Sequence, residues 1–487
     1  MEREERKQHF STERKLETIS FLRRSAAENK QRLYQADAIL NGQPADRIDF
    51  TKQTDSAASV REEEPYEPKL LSGSFFFRCL IALACLFIFL ILGQTTEPKT
   101  RQYINTIKGQ IETDYSENIL YLMRKRMLKD EILLKIEKPA RYLGGEVNSV
   151  MKEKEKIDIR VAMCFPDVYE IGMSHLGIQI LYDMFNRYED TWCERVYSPW
   201  TDLDEIMRRE HIPLFALESQ DPIREFDFLA ITIQYEMCYT NILQILDLSQ
   251  IPIMACDRTK EDPIVIGGGP CTYNPEPIAD FFDLFYIGEG ETMYRRLLDL
   301  YKEYQASDMT RAQFLHEAGR LPGIYCPQLY ETSYKEDGTI AAFTPLYDDV
   351  PAKIDKEIVT DLDAEAAVYP LAPVVPFIKV TQDRVVLEIM RGCIRGCRFC
   401  QAGQLYRPLR ERNVDELKEY ASAMLKNTGH EEISLSSLSS SDYSKLPELI
   451  DYLIEECDRK KINISLPSLR IDAFSLDVMS KVQDVKK

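Results

Sequence analysis

The sequence predicts an α/β protein: an N-terminal helical or transmembrane segment, a doubly wound parallel sheet, then a partial barrel of βα units. Three observations predict it. Four short apolar runs, at Ile157–Phe165, Phe226–Ile233, Pro263–Gly269 and Phe282–Ile287, alternate with helical stretches, the pattern of a parallel sheet covered on both faces. A second alternating series follows, with strand-like runs at Val385–Met390, Glu432–Leu438 and Ile462–Leu466. Ahead of both lies a long apolar stretch between Ser72 and Gly93.

Length and composition bound the rest. A chain of 487 residues corresponds to roughly three domains. With 44% hydrophobic and 29% charged residues it buries a large core, which excludes global disorder. It carries 61 Lys and Arg against 80 Asp and Glu, a net charge of −19, which argues against a general nucleic-acid coat protein and leaves room for one local basic site. Twelve cysteines are too few for a disulfide scaffold, and three of them crowd between Cys393 and Cys400, a spacing that suits a metal and a reducing compartment.

Residues 1–71 are polar and charged. Leu16, Ile19, Leu22, Ala26 and Leu33 recur at helical spacing and predict an amphipathic helix around 13–39, and the stretch from Asn41 to Pro68 reads as a flexible linker. Residues 72–95 are predicted as a transmembrane helix: from Phe75 to Leu92 the one charge is Arg78, placed to snorkel to an interface. A buried helix is the competing reading, because the uninterrupted run from Cys79 to Leu92 is short of the roughly 20 residues a bilayer needs. Lys69 and Arg78 on one flank and Lys99 and Arg101 on the other set no orientation. A cysteine-bound cluster needs reducing surroundings, so a single-pass membrane protein would hold its downstream part in the cytoplasm. Residues 96–126 read as a helical connector. Met127 opens a new compositional regime, and a chain started there would be cytoplasmic, with the membrane piece a fusion.

The middle domain is expected over 127–300. Ligands of a parallel sheet bind at the carboxyl ends of its strands. Gly267, Gly268 and Gly269 end one such strand, and Gly268 and Gly269 are the candidate cofactor contacts there, with plain turn formation as the alternative. The stretch GGGPCTYNPEPIADFFDLFYIGEGE resembles the second half of the cobalamin-binding-type domain that precedes many radical S-adenosylmethionine enzymes, and DVYEIGMSHLGIQILYD resembles its start in one uncharacterised subfamily. The resemblance runs from about residue 127 to the end and implies a Rossmann-like domain with cobalamin as a cofactor. The cobalt-ligating Asp-x-His-x-x-Gly of that family is absent. His175 stands in Met-Ser-His-Leu-Gly, at another spacing, and reads as a capping or packing residue. A sheet domain that only docks against a catalytic barrel is the competing reading.

Residues 301–383 carry Pro322-Gly323, Asp337-Gly338 and prolines at 370, 373 and 376, with a short β-like run at Thr339–Phe343, and predict an irregular linker subdomain that extends into the next strand. From 384 to 487 the partial barrel is expected.

There Val385–Met390 runs into Arg391-Gly392-Cys393-Ile394-Arg395-Gly396-Cys397-Arg398-Phe399-Cys400. Soft thiolates suit zinc or iron–sulfur, and structural zinc wants a fourth ligand that no nearby cysteine supplies. Cys-x3-Cys-x2-Cys with an aromatic before the last cysteine, directly after a strand, resembles the signature of the radical S-adenosylmethionine (radical SAM) family. The resemblance implies that Cys393, Cys397 and Cys400 hold a four-iron, four-sulfur (4Fe-4S) cluster whose open iron chelates S-adenosylmethionine. Reductive cleavage of that cofactor yields a 5′-deoxyadenosyl radical that abstracts hydrogen from a substrate. It further implies that Phe399 packs near the adenine and that Gly392 and Gly396 let the loop wrap the cluster. The end of the second barrel strand meets the cofactor's amino group in the family, usually through Gly-Gly-Glu. Here Ser439, Ser440 and Asp442 stand at that place, with Arg470, after the third strand, as a candidate for the carboxylate. A serine-rich turn and a salt-bridging arginine are the alternatives. After the loop, Asn413 and Glu416 predict a capping box on a helix over 413–426, Leu446–Cys457 a second helix, and Phe474–Val482 a third.

A barrel unit takes about 30 residues, so the stretch from Arg384 to Lys487 holds about three units, half of the family's partial barrel, and a truncated chain of an enzyme is expected. Arg384, Arg391, Arg395, Arg398, Arg407, Arg410 and Arg412 form an island of positive charge against Glu388 and Glu411 in sequence. Three functions compete: a radical SAM enzyme acting on an unread substrate with an external electron donor; an RNA-modifying methyl- or methylthiotransferase with the arginine island as its anchor; and a non-enzymatic iron–sulfur scaffold tethered to the membrane through residues 75–92. The sequence identifies no further catalytic residue.

Overall fold

The computed structural model describes residues 126–470, apart from residue 293 and residues 365–367. The helix expected at 13–39, the membrane helix at 72–95, the connector up to residue 125 and the helix at Phe474–Val482 lie outside the described residues. Among the described residues no helix is long and apolar enough to cross a membrane.

The first sheet has six strands: β1 Ile159–Phe165, β2 Thr191–Tyr197, β3 Phe228–Thr232, β4 Ile264–Gly268, β5 Leu284–Tyr286 and β6 Ile324–Tyr325. Their order is β2-β1-β3-β4-β5-β6, parallel from β2 to β5, with β6 antiparallel on β5. This is a doubly wound arrangement, and the chain reverses direction across the sheet between β1 and β3. The strand period of two divides the core. Ile159, Val161, Met163 and Phe165 face helices α1 (Leu176–Arg187), α4 (Tyr294–Ala306) and α5 (Arg311–Ala318) through Ile178, Tyr182, Leu297 and Phe314. Ala162 and Cys164 face α2 (Thr201–Glu210) and α3 (Tyr239–Leu248) through Leu203, Met207, Ile242 and Ile245.

Two departures from expectation have physical causes. Strand β2 carries Glu194 and Arg195, which mask it as a surface segment, yet every one of its residues is buried. Arg195 lies between Glu146, at 2.7 Å, and Glu218, at 2.6 Å, and Glu194 meets Arg160 at 2.5 Å. Helix α4 runs straight through the boundary expected at residue 300, because Tyr301 and Tyr304 pack in the same core as Leu297. With α5 and β6 it extends the first domain past residue 320. The remaining linker holds one antiparallel hairpin, β7 Tyr330–Tyr334 and β8 Ile340–Pro345.

The second sheet is parallel, with order β13-β12-β9: β9 Val385–Glu388, β12 Glu432–Ser436 and β13 Asn463–Ser465. Helices α6 (Val414–Thr428) and α7 (Leu446–Lys460) cover it, packing Leu417, Ala421, Leu449 and Leu453 on Val385, Leu387, Ile433 and Leu435. Asn413 caps α6 by accepting the Asp415 N–H at 2.8 Å. The reciprocal half of the expected capping box does not form, because the Glu416 carboxylate accepts the Tyr420 hydroxyl at 2.6 Å instead.

Candidate metal centre and the facing cavity

Between β9 and α6 a two-residue ladder forms: β10 (Met390–Arg391) pairs antiparallel with β11 (Arg410–Glu411), Arg391 opposite Arg410. The chain between them, residues 392–409, is a loop closed at its neck, and it carries all three motif cysteines. Gly392 sits in that neck at φ +84°. A Cβ there would stand 2.4 Å from the Pro408 carbonyl oxygen and 2.6 Å from that of Tyr406, so only glycine fits. Gly396 has no such constraint, its nearest neighbour being the Arg407 guanidinium at 4.0 Å, so the expectation for the two glycines holds for Gly392 alone.

Cys393 and Cys400 are partly buried and Cys397 is exposed. The Arg395 N–H points at Cys393 Sγ over 3.4 Å and the Gly403 N–H at Cys400 Sγ over 3.3 Å. Such donors stabilise and tune thiolate-held clusters. Among the described residues no group of three or more His, Cys, Asp or Glu is gathered around a single-ion site. A cubane spreads its thiolates farther than one ion does. Three free thiols, two of them with backbone donors, and no fourth ligand gathered beside them among the described residues fit a cluster with one open iron, and fit structural zinc poorly.

The other expected cofactor contacts divide. Phe399 is 91% exposed and does not line the cavity described below. Ser439 and Ser440 are buried. Ser440 Oγ donates to the Pro467 carbonyl at 2.9 Å, and Ser439 Oγ donates to Asp442 at 2.8 Å. Asp442 also accepts from Arg395 Nε at 3.0 Å and from Arg470 Nη1 at 3.3 Å. The hydrogen bonds from Arg395, joined by Ser439 and Arg470, hold its carboxyl below the usual carboxylate range against the opposing effect of burial. Asp442 and Arg470 are thus brought together on each other, and they tether the cysteine loop, through Arg395, to the end of β12.

A cavity of about 700 Å³ opens where the two sheets meet. One wall is built from the carboxyl ends of β3, β4 and β5, with Thr232, Gly268, Gly269, Glu289 and Glu291. The other comes from Glu388, Arg391, Gly392 and Tyr406 around the cysteine loop and Ser436 and Ser437 at the carboxyl end of β12. Gly268 and Gly269 therefore stand where the sequence put them. Gly269, at φ +96°, passes so close to Ile233 that a Cβ would lie 3.0 Å from its carbonyl oxygen. His175 also reaches this cavity. Its Nδ1 accepts the Ile178 N–H at 3.3 Å and its Nε2 pairs with Gln234 Oε1 at 3.1 Å, while burial lowers its pKa. Both ring nitrogens are engaged, as expected of a capping residue.

The arginine island is largely neutralised in space. Arg384 pairs with Glu432 at 2.6 Å, Arg395 with Asp442, Arg410 with Glu289 at 2.7 Å and Arg412 with Glu388 at 3.1 Å. Arg391 meets Glu388 at 2.9 Å, Glu291 at 2.6 Å and Glu289 at 3.3 Å. Burial alone would raise the Glu388 carboxyl, and Arg391 and Arg412 outweigh it, leaving the group below its usual range. Glu289 and Glu291 are the site residues that reasoning along the chain missed. Their signal was the acidic Gly-Glu-Gly-Glu at the end of a strand, a place where a parallel sheet puts its functional groups.

Two family models match the chain: "Radical SAM proteins, N-terminal" over residues 177–327 and "Radical SAM superfamily" over residues 387–486. Together they span more than half of the 487 residues, and the second contains the three-cysteine loop. The chain belongs to the radical SAM superfamily, with the N-terminal domain of that family ahead of its cluster domain. An uncharacterized protein of Methanocaldococcus jannaschii is 28% identical over 322 residues, which cover 66% of this chain and 57% of that protein. Among solved structures, the cobalamin-dependent S-adenosylmethionine radical enzyme OxsB aligns at 14% identity and TM-score 0.38, covering 70% of this chain and 44% of its own. The radical S-adenosylmethionine methyltransferase TsrM from Kitasatospora setae aligns at 11% identity and TM-score 0.39, covering 67% and 57%. The chain thus spans about half the length of these relatives.

Proposed function

We propose that this chain carries the cluster and the S-adenosylmethionine-cleaving site of a radical enzyme, acting on a substrate held in the cavity between the two sheets. The observation that carries the reading is the placement of three free thiols on one glycine-necked loop whose flanks wall that cavity. Cys393, Cys397 and Cys400 would hold the 4Fe-4S cluster, with the Arg395 and Gly403 amides supporting the first and last sulfur. When bound, the cluster and S-adenosylmethionine together supply a 5′-deoxyadenosyl radical, the electron coming from an external donor. The chain's own work is to fix the loop, through Gly392 and the Arg395–Asp442 tether, and to roof the reacting space with the glycine-lined ends of β4 and β5. A corrinoid in the same cavity would be held by the strand ends at Thr232, Gly268 and Gly269, with His175 serving as a wall and cap, since its two ring nitrogens bond to Ile178 and Gln234.

Anaerobic reconstitution tests the reading, with iron and sulfide assay, electron paramagnetic resonance and measurement of 5′-deoxyadenosine released from S-adenosylmethionine. Iron and sulfide should be present and the reduced chain should give a cluster signal, with both lost in Cys393→Ala, Cys397→Ala and Cys400→Ala. Zinc at the loop, or no metal, would overturn it. Titration with cobalamin, followed by visible absorption, tests the corrinoid: a spectrum unchanged by His175→Ala is expected.

A further inference from the structure

The group around Arg391 is a set of paired charges, with one further cation, Lys356, beside Glu289 and Arg410 and one further carboxylate, Asp363, beside Arg412. The Arg391 guanidinium meets Glu388, Glu289 and Glu291, Arg410 shares Glu289, and Arg412 shares Glu388. Three cations face three carboxylates, and every side chain is 15% exposed or less. Glu289 and Glu291 come from the loop after β5 of the first sheet, while the other four belong to the cysteine loop's neck and flanks. The Val359 N–H adds a bond to Glu289 at 2.8 Å, fixing that carboxylate from a third segment. Arg391 lies two positions before Cys393 in sequence.

We propose that this balanced set holds the electrostatic potential at the cluster, so that Glu289 and Glu291 of the sheet domain are positioning residues that tune the cluster's reduction from across the cavity. The inference rests on the cluster reading above. Buried charges are poorly screened by water and salt, so loss of one member leaves an uncompensated charge at the neck of the cysteine loop, where Arg391 and Arg410 pair. Reduction adds one electron to the cluster, and a neighbouring positive charge favours the reduced form. Removing a carboxylate leaves the set positive and makes the cluster easier to reduce, whereas removing a guanidinium does the opposite.

The test is a redox titration of the reconstituted full chain, followed by the electron paramagnetic resonance of the reduced cluster. Glu291→Gln and Glu289→Gln, which keep shape and an acceptor oxygen, should each shift the midpoint potential positive. Arg391→Met should shift it negative, and if that variant does not fold the two glutamine variants carry the test alone. Glu432→Gln removes the carboxylate paired with Arg384 at the far end of β12, and should leave the potential at the wild-type value. Midpoints of both glutamine variants equal to wild type overturn the inference while the cluster reading stands. A wild-type chain that takes up no cluster overturns both.

Discussion

Substituting Gly392 by alanine strikes the cluster loop where it is least able to adjust. At φ +84° the residue lies in the left-handed region, which costs a residue with a Cβ about 1–2 kcal/mol. The new Cβ would also stand 2.4 Å and 2.6 Å from two backbone carbonyl oxygens, those of Pro408 and Tyr406, which no side-chain rotation can move aside. Overpacking of this kind costs about 1–3 kcal/mol. The sum, about 2–5 kcal/mol, falls on the neck and corresponds to roughly a thirty- to few-thousand-fold shift toward the open loop. Amide hydrogen exchange of the β10–β11 ladder, read by mass spectrometry at neutral pH, should accelerate by a factor in that range, and reconstituted iron per chain should fall. Gly396→Ala is the matched control, since nothing lies nearer its Cβ position than 4.0 Å, and it should behave as wild type. If Gly392→Ala and Gly396→Ala are alike in both exchange and iron content, the neck does not close as described.

Three further outcomes are expected. Asp283→Ala strips the fully buried carboxylate that Arg258 and Arg311 each meet at 2.9 Å, leaving two buried guanidiniums unpaired; urea unfolding should show a loss of about 3–5 kcal/mol, and a loss under about 1 kcal/mol would mark the pair as no better than an exposed one. Asp442 has a depressed pKa in the folded chain, so its contribution is complete above the unfolded value near 4 and is lost as the pH falls below it; the stability advantage of wild type over Asp442→Asn should therefore shrink on acidification, and an advantage that grows would refute the tether. Glu194 behaves oppositely: burial, aided by repulsion from Glu218, pushes it up to about 7 against the pull of Arg160, so wild type should lose stability relative to Glu194→Gln as the pH climbs from about 4 to 7. Unfolding free energies of the two proteins at pH values on either side of that window check the sign.

Strands buried on both faces were legible because they read as unbroken apolar runs. β1, β3, β4 and β5 each fall inside the run that predicted them, shorter by one to two residues at one or both ends. β2 was illegible for the converse reason. Its Glu194 and Arg195 are solvated groups by any residue scale, and only partners as distant as Glu146, Arg160 and Glu218 make a buried strand of them. The three cysteines were legible because their spacing is local and chemically restrictive. The serine turn was legible as a turn only: Ser440 and Asp442 spend their oxygens on Pro467, Arg395 and Arg470, contacts that no local pattern encodes.

The arginine island shows why charge is the least readable property of such a site. Along the chain, seven arginines between 384 and 412 stand against Glu388 and Glu411 and suggest an anion-binding surface. In space, five of them face carboxylates, and those at Glu289, Glu291, Glu432 and Asp442 arrive from other elements. Arg391, Arg410 and Arg412 are poor anchors for an external polyanion, since recruiting them would strand buried carboxylates at a cost of several kcal/mol. Arg398, exposed on the loop, differs from them in that no carboxylate faces it among the described residues. The two hypotheses for the island then separate on two variants. If the arginines bound RNA, Arg398→Ala would weaken salt-sensitive retention on RNA, and Glu291→Gln, which frees positive charge, would strengthen it. If they hold the cluster loop to the sheet domain, neither variant changes retention, and only Glu291→Gln moves the cluster's potential.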